Sequence, residues 1–214
     1  MKYPRTPHLP GSPGLSKDDR RIVDVRTLLG DVVVTEKMDG SNLCMTRDDV
    51  FSRSHSGAPR HPSFDLAKAL HAGRRFSIPE SISVFGEWCF AVHSIEYNVL
   101  PDYFLVFAVL ERDETWLSWD AVEDFAERLD FPTAPIMFEG RLASVGDVDR
   151  LVDLLSSDTG DSSFGPVREG FVVRRRGEFA VDVFPDRVAK WVRADHVQTD
   201  DHWMNQEIRK QGTC

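Results

Sequence analysis

Val32-Val33-Val34-Thr35-Glu36-Lys37-Met38-Asp39-Gly40-Ser41-Asn42 runs an apolar stretch into a lysine and then into an Asp-Gly turn. Successive β-branched residues favour a buried strand, and Asp-Gly supplies the chemistry of a tight turn. The pattern predicts a strand with Lys37 at its end and a hairpin return to the next strand. A lysine placed there is a candidate nucleophile, because burial or a neighbouring cation lowers its pKa and frees the neutral amine to attack phosphorus. A hairpin with an exposed lysine is the plain alternative, since Lys-x-Asp-Gly also arises by chance.

Outward from that stretch, apolar runs between residues 32 and 54 are separated by Met38-Asp39-Gly40 and Arg47-Asp48-Asp49, so strands joined by hairpins are expected. Upstream, Pro4, Pro7, Pro10 and Pro13 block both helix and central strand and predict an extended arm. Downstream, Phe64, Ala67 and Leu70 recur at helical spacing over residues 64–70. Residues 83–90 and 103–110 read as core strands. Ser118 is a candidate N-cap for a helix over 119–129, whose Val122, Phe125, Ala126 and Leu129 share a face. A further helix is expected over 144–155, a loop over 160–165, and strands over 170–175, 179–184 and 189–193. A last helix is expected over 200–210. Antiparallel strands with flanking helices, without strict βα alternation, predict an α+β class.

The 214 residues suit one domain with a sizeable core. No apolar run is long enough to span a bilayer, and the Pro-rich start lacks the apolar stretch of a secretory signal, so a cytoplasmic location is expected. Cys44, Cys89 and Cys214 have neither disulfide nor zinc-site spacing. A net charge of −9 argues against binding nucleic acid by general attraction. Between Arg168 and Arg193, however, seven basic residues face four acidic ones, which allows a basic face on an acidic body or simply a mixed, solvated surface.

Other stretches carry charge into apolar surroundings. In Val84-Phe85-Gly86-Glu87-Trp88 a carboxylate follows glycine inside a strand; facing inward it needs a ribose hydroxyl, a hydrated metal or a lysine as partner, and facing outward it is a surface residue. Arg168-Glu169-Gly170-Phe171-Val172-Val173-Arg174 repeats this with Glu169 at the entrance of a strand. Val188-Ala189-Lys190-Trp191-Val192-Arg193 embeds a second lysine, able to neutralise phosphate or to lie with its stem along the sheet and its head in water. His196 and His202, with acids between them, read as flanking a helix cap at Asp200 or Asp201 with a Trp203 anchor rather than as a metal site.

Taken in order, Lys-x-Asp-Gly, Gly-Glu-Trp, Glu-Gly-Phe-Val and Lys-Trp-Val-Arg resemble motifs I, III, IV and V of the covalent nucleotidyltransferase superfamily of polynucleotide ligases and capping enzymes. Within it the chain most resembles ATP-dependent RNA ligases of the nick-sealing type and related bacterial RNA ligase domains. Asn42 closes motif I as in those ligases, Phe51-Ser52-Arg53-Ser54 resembles their arginine-bearing strand, and Tyr103-Phe104-Leu105-Val106-Phe107 resembles motif IIIa. The resemblance implies a ligase adenylation fold, described as ATP-grasp-like, of antiparallel sheets with flanking helices. Residues 1–28 would be an arm packed on an adenylyltransferase domain spanning 29–214.

It also implies an activity. Lys37 would take AMP covalently from ATP and pass it to an RNA 5'-phosphate, which is then sealed to a 3'-hydroxyl. Lys37, Lys190, Glu169 and Asp39 would be catalytic. Glu36, Lys37, Met38, Gly40, Asn42, Arg53, Glu87, Phe107, Glu169 and Lys190 would hold the nucleotide, with Phe107 stacking on adenine and the backbone near Glu36 and Met38 reading its edge. Asp39, Glu87 and Glu169 would surround Mg²⁺ or Mn²⁺ through water. Arg174, Arg175 and Arg176 suit phosphate contacts or a solvated run. Val192 stands where many RNA ligases carry a second motif V lysine, which leaves the role of Arg193 open. The 21 residues after Arg193 are too few for an OB-fold, which argues against DNA ligases and capping enzymes. They leave two alternatives, a minimal ligase or one that works with a protein partner; a DNA nick-sealing ligase and an adenylylation subunit of a repair complex are the competing functions.

Overall fold

In a computed structural model that describes residues 2–15, 19–53, 57–157, 160–194 and 207–214, β1 (Gly30–Lys37) is buried from Val32 to Glu36. The strand has a neighbour on each edge and a core on each face. β7 (Ile136–Leu142) and β8 (Gly170–Arg175) flank it, and β10 (Val188–Val192) completes a four-stranded sheet in the order β10-β8-β1-β7. Its pairings are antiparallel. Val33 packs in the core shared with the second sheet, while Val32 and Val34 pack on the other face with Leu142, Val148 and Leu151. That alternation follows from the two-residue period of a strand.

The second sheet comprises β2 (Ser41–Met45), β3 (Val50–Ser52), β4 (Ile82–Trp88), β5 (Phe104–Glu111), β6 (Thr115–Trp116) and β9 (Phe179–Ala180). Its order is β3-β2-β4-β5-β6-β9, again antiparallel, and neither sheet closes into a barrel. The α+β class is thus observed, as antiparallel sheets with a few helices.

The hairpin expected at Met38-Asp39-Gly40 does not form. Both edges of β1 are taken by β7 and β8, so β2 leaves for the other sheet and pairs with β4, Ser41 opposite Trp88. Residues 38–40 therefore cross between sheets, and Lys37 ends at their seam. Glycine is needed at the crossing, because a Cβ on Gly40 would stand 2.7 Å from the Trp88 carbonyl oxygen.

α1 (Asp65–Arg74) begins one residue later than the spacing predicts and runs further; Phe64 belongs to a 3-10 turn, Pro62–Phe64. α2 (Trp119–Arg128) starts at Ser118, whose Oγ accepts the Ala121 N–H at 3.3 Å. α3 (Val145–Ser157) lays Val148 and Leu151 on the outer face of the first sheet. The strand expected over 179–184 shrinks to β9, followed by a 3-10 turn, Val181–Val183, and by α4 (Phe184–Arg187). Pro185 suits the first turn of a helix and lacks the N–H a sheet would use. β7 was not anticipated: Glu139 and Gly140 break its apolar pattern, and most of it is not buried.

Of the helix expected over 200–210, residues 200–206 lie outside the described residues, as do His196, His202 and Trp203. Residues 207–210 are not helical. The segment instead ties down the loop after β4: the Gln211 side chain accepts the Tyr97 N–H at 2.7 Å and donates to Ile95 O at 2.8 Å. At the other terminus, the Pro-rich segment lies beside β10, with Leu9 fully buried. No helix among the described residues is long and apolar enough to cross a membrane.

Candidate active site

Register brings the charged residues together. In the β1–β8 ladder Lys37 faces Gly170, and in the β8–β10 ladder Val192 faces the same Gly170. Glu169, just before β8, is thereby set between the end of β1 and the end of β10. Its Oε2 lies 2.7 Å from Lys37 Nζ, with the Glu169 side chain 6% exposed and that of Lys37 26% exposed. Glu87 arrives from the other sheet, on β4 opposite Asn42 of β2. A bulge precedes it, between Phe85 and Gly86, and a Cβ on Gly86 would meet the Phe104 ring at 2.5 Å and Leu105 O at 2.7 Å. The glycine before Glu87 lets β4 and β5 approach at the site.

Between the sheets opens a cavity of about 520 Å³, within the range of small-molecule sites. Lys37, Glu87 and Lys190 line it together with Glu36, Met38, Gly40, Asn42, Arg53 and Phe107. Phe107, Val172 and Val188, which pack in one apolar cluster, form an apolar end of its lining, and Ala134 also lines it. Phe107 is the residue of Phe104–Glu111 that is only half-buried before the terminal Glu111. Tyr3, from the N-terminal arm, lines the cavity and meets the Phe107 ring edge-on at 5.1 Å.

Electrostatics at the seam are dominated by carboxylates. Burial alone would lower Lys37, but Glu169, Glu87 and Asp39 together outweigh it and hold the amine above its ordinary value. Glu87 is pushed up to about 8, first by burial and then by Glu169 and Asp39, with Lys37 and the Gly40 backbone N–H opposing. Burial likewise raises Glu169 against the pull of Lys37. Lys190 is lowered by burial, with Asp19 opposing and Lys37 adding to the fall. The site thus gathers more negative charge than its burial favours, and the carboxylates hold the Lys37 amine in its protonated form.

That imbalance has a measurable consequence. Glu87 holds its proton in the folded chain at pH values where the unfolded chain has lost it, so its contribution to stability is present below pH 4.5 and is lost as pH rises to about 8. Replacing Glu87 by glutamine removes the titration. The Tm of Glu87→Gln relative to the parent is expected to climb between pH 5 and pH 8.5; a flat difference across that range contradicts the burial of this carboxylate.

Several expected positions do other work. Asp39 does not line the cavity: Oδ2 accepts the N–H groups of Ser94 and Ile95, each at 2.7 Å, and its own N–H donates to the Tyr97 hydroxyl. Among the described residues no three His, Cys, Asp or Glu side chains are grouped closely enough to hold an ion directly. Glu36 turns its carboxylate to the Ser162 hydroxyl and the Ser163 N–H, and its backbone N–H to Pro135 O, which leaves that N–H engaged within the protein.

The guanidinium groups of the arginine run are engaged with the body of the protein, although Arg174 also lines the cavity and Arg176 stays 37% exposed. Arg174 is buried, donates to Leu117 O at 2.7 Å, and is pushed down to about 10 by burial. Arg175 donates to Leu29 O, and Arg176 pairs with Asp120 and Glu139. Arg193 does not line the cavity; its N–H donates to Glu169 O. Residues not singled out in the sequence also line the cavity, among them Tyr3, Thr6 and His93.

Residues 30–192 match a family described as RNA ligase. No curated protein matches the chain. Among solved structures, the chain is similar to an archaeal ATP-dependent RNA ligase at 16% identity and a TM-score of 0.56, covering 90% of this chain and 48% of that one. It is also similar to an RNA ligase of Naegleria gruberi with PPi, at 18% identity and a TM-score of 0.55, covering 84% of this chain and 56% of the other. A mutant of that ligase with ATP and Mn matches at 15% identity and a TM-score of 0.51, with the same coverages of 84% and 56%. At these identities the similarity is one of fold, and the chain spans about half the length of the structures it matches.

Proposed function

The chain belongs to the RNA ligase family, and on that premise we propose that it is an ATP-dependent RNA ligase whose Lys37 carries AMP from ATP to an RNA 5'-phosphate. The observation that carries this reading is the Lys37 amine, 2.7 Å from Glu169 at the mouth of a cavity that Glu87 and Lys190 also line. An amine so placed has a carboxylate at hand to take its proton. Nζ then attacks the α-phosphorus, the bond to the departing pyrophosphate breaks, and a lysyl-AMP phosphoramidate remains. Lys190 faces the charge on the nonbridging oxygens, which is where phosphoryl transfer needs help. The apolar end of the cavity, with Phe107, Val172 and Val188, receives the base. An RNA 5'-phosphate next takes the AMP, and a 3'-hydroxyl displaces it to form the phosphodiester.

The donor set fits a divalent cation. Glu87 and Glu169 are hard oxygen ligands, both raised by burial and both feeling the charge of the Lys37 amine, which Glu169 contacts directly. Mg²⁺ or Mn²⁺ at these carboxylates would supply the positive charge that relaxes their hold on the Lys37 proton. The Naegleria gruberi ligase with ATP and Mn supports the choice of nucleotide and of a divalent ion.

The test is direct. Intact protein incubated with ATP and Mn²⁺ or Mg²⁺ should gain the mass of one AMP, and the adduct should disappear when nicked duplex with RNA on the 3'-hydroxyl side is added. No adduct with ATP under any metal sinks the proposal. An adduct that is discharged only by all-DNA nicks moves the substrate to DNA.

A further inference from the structure

Asp19 lies outside the segment that matches the RNA ligase family, which begins at residue 30, yet its carboxylate reaches the cavity wall. The arm runs beside β10: the Lys190 N–H donates to Pro7 O at 2.8 Å, the Leu9 N–H to Lys190 O at 2.7 Å, and the Gly14 N–H to Val192 O at 2.9 Å. Ser12 Oγ accepts the Val192 N–H at 3.0 Å and lies 2.7 Å from His8 Nδ1. The His8 backbone in turn joins residues 20 and 22, donating to Arg20 O and accepting from the Ile22 N–H. The chain is thereby doubled back over β10. Asp19 Oδ1 comes to 3.3 Å from Lys190 Nζ, and Oδ2 to 3.4 Å from His8 Nε2.

The charges of this group are unequal. Burial, and then the Lys190 cation, push His8 down to about 4, so the imidazole is neutral near pH 7 and the cation that Asp19 faces is Lys190. A lysine head on a long flexible stem loses direction when nothing anchors it. Burial and the neighbouring Lys37 also work against its charge. A carboxylate within ion-pair distance answers both needs.

We propose that Asp19 is a positioning residue: held by the His8 strap, its carboxylate fixes the Lys190 amine as a cation in the cavity wall, where the transferring phosphate is to be met. This deepens the proposed nucleotidyl transfer and rests on it. It also has a signature of sign. A carboxylate beside the phosphate site repels a triphosphate, so removing its charge eases binding of ATP even as it disorders the group that stabilises transfer.

Asp19→Asn is therefore expected to slow formation of the AMP adduct at saturating ATP by about tenfold or more, with the KM for ATP unchanged or lower, and Asp19→Glu to restore most of the rate. An unchanged rate overturns the proposal. So does a KM that rises together with a loss of Tm, the mark of a detached strap. A readout without nucleotide stands beside this. Acetic anhydride labelling, read by peptide mass spectrometry near neutral pH, should modify Lys190 several-fold faster in Asp19→Asn than in the parent, with Lys68 and Lys210 unchanged; equal labelling of Lys190 overturns the proposal. If Lys190 labelling rises but the parent protein takes no AMP from ATP, the ligase reading fails while the Asp19–Lys190 pairing holds.

Discussion

Replacing Gly170 by alanine is expected to lower Tm by about 10 °C and to abolish AMP labelling. The Cβ so created would stand 2.0 Å from the Trp191 carbonyl oxygen and 3.0 Å from the Val192 Cα. These are backbone atoms of β10, with no flexible side-chain end to swing aside. Overpacking typically costs about 1–3 kcal/mol, and a rigid backbone neighbour puts this case at the upper end. For a chain of this size each kcal/mol moves Tm by about 2–4 °C. The functional loss follows from register, because Gly170 faces Lys37 in one ladder and Val192 in the other. Prising β8 from β10 separates Glu169 from Lys190 and tilts both from Lys37. Gly73→Ala, in α1 with nothing within 4 Å of the added Cβ, is the control: helix propensity predicts a gain of up to about 1 kcal/mol. A Gly170→Ala protein with parental Tm and labelling contradicts the close β8–β10 approach.

The strands that hold this seam were legible because they are locally unambiguous. Val32-Val33-Val34 is buried on both faces, Phe171-Val172-Val173 is buried but for Val172 at the cavity, and such strands read as continuous apolar runs. The helix from Trp119 was legible from its cap, a Ser118 hydroxyl that accepts an N–H of the first turn. What failed was nonlocal. Asp-Gly after Lys37 looks the same whether the chain turns back in one sheet or crosses to another, and the outcome depends on β7 and β8 occupying both edges of β1. β7 itself is an edge strand with little burial, so its sequence was free to lose the apolar pattern.

At the site the same division holds. Lys37, Glu87, Glu169 and Lys190 stand out in sequence because each is a charge set in or beside an apolar strand, a placement that needs a reason. Asp39 stands out equally, but its side chain caps the 94–95 backbone rather than entering the cavity, and only the fold of that loop could reveal it. The run Arg174-Arg175-Arg176 looks solvated in one dimension; in three, each guanidinium finds carbonyls or carboxylates of the body. Tyr3 and Asp19 carried no local signal. Proline showed that the arm is extended, but not that it returns across β10 to the cavity.

Lys37→Ala and Lys37→Arg are both expected to take up no AMP from ATP, and the comparison between them separates charge from nucleophilicity. Arginine keeps a cation beside Glu169 and Glu87 but is not deprotonated in proteins, so its side chain offers no neutral amine. Lys37→Arg should therefore retain the parental Tm more closely than Lys37→Ala, which leaves the buried Glu169 and the partly buried Glu87 without the amine that opposes their raised pKa values. Both should remain blocked at the first step. If the covalent adduct serves only to load the RNA 5'-phosphate, RNA supplied with AMP already on that phosphate bypasses the defect, and Lys37→Arg should still join it in the presence of Mg²⁺ or Mn²⁺. Labelling that persists in Lys37→Arg on another lysine, above all Lys190 across the cavity, would transfer the nucleophile to that residue. Labelling absent from both variants together with retained joining of the preloaded RNA would confine the need for the Lys37 amine to the first step.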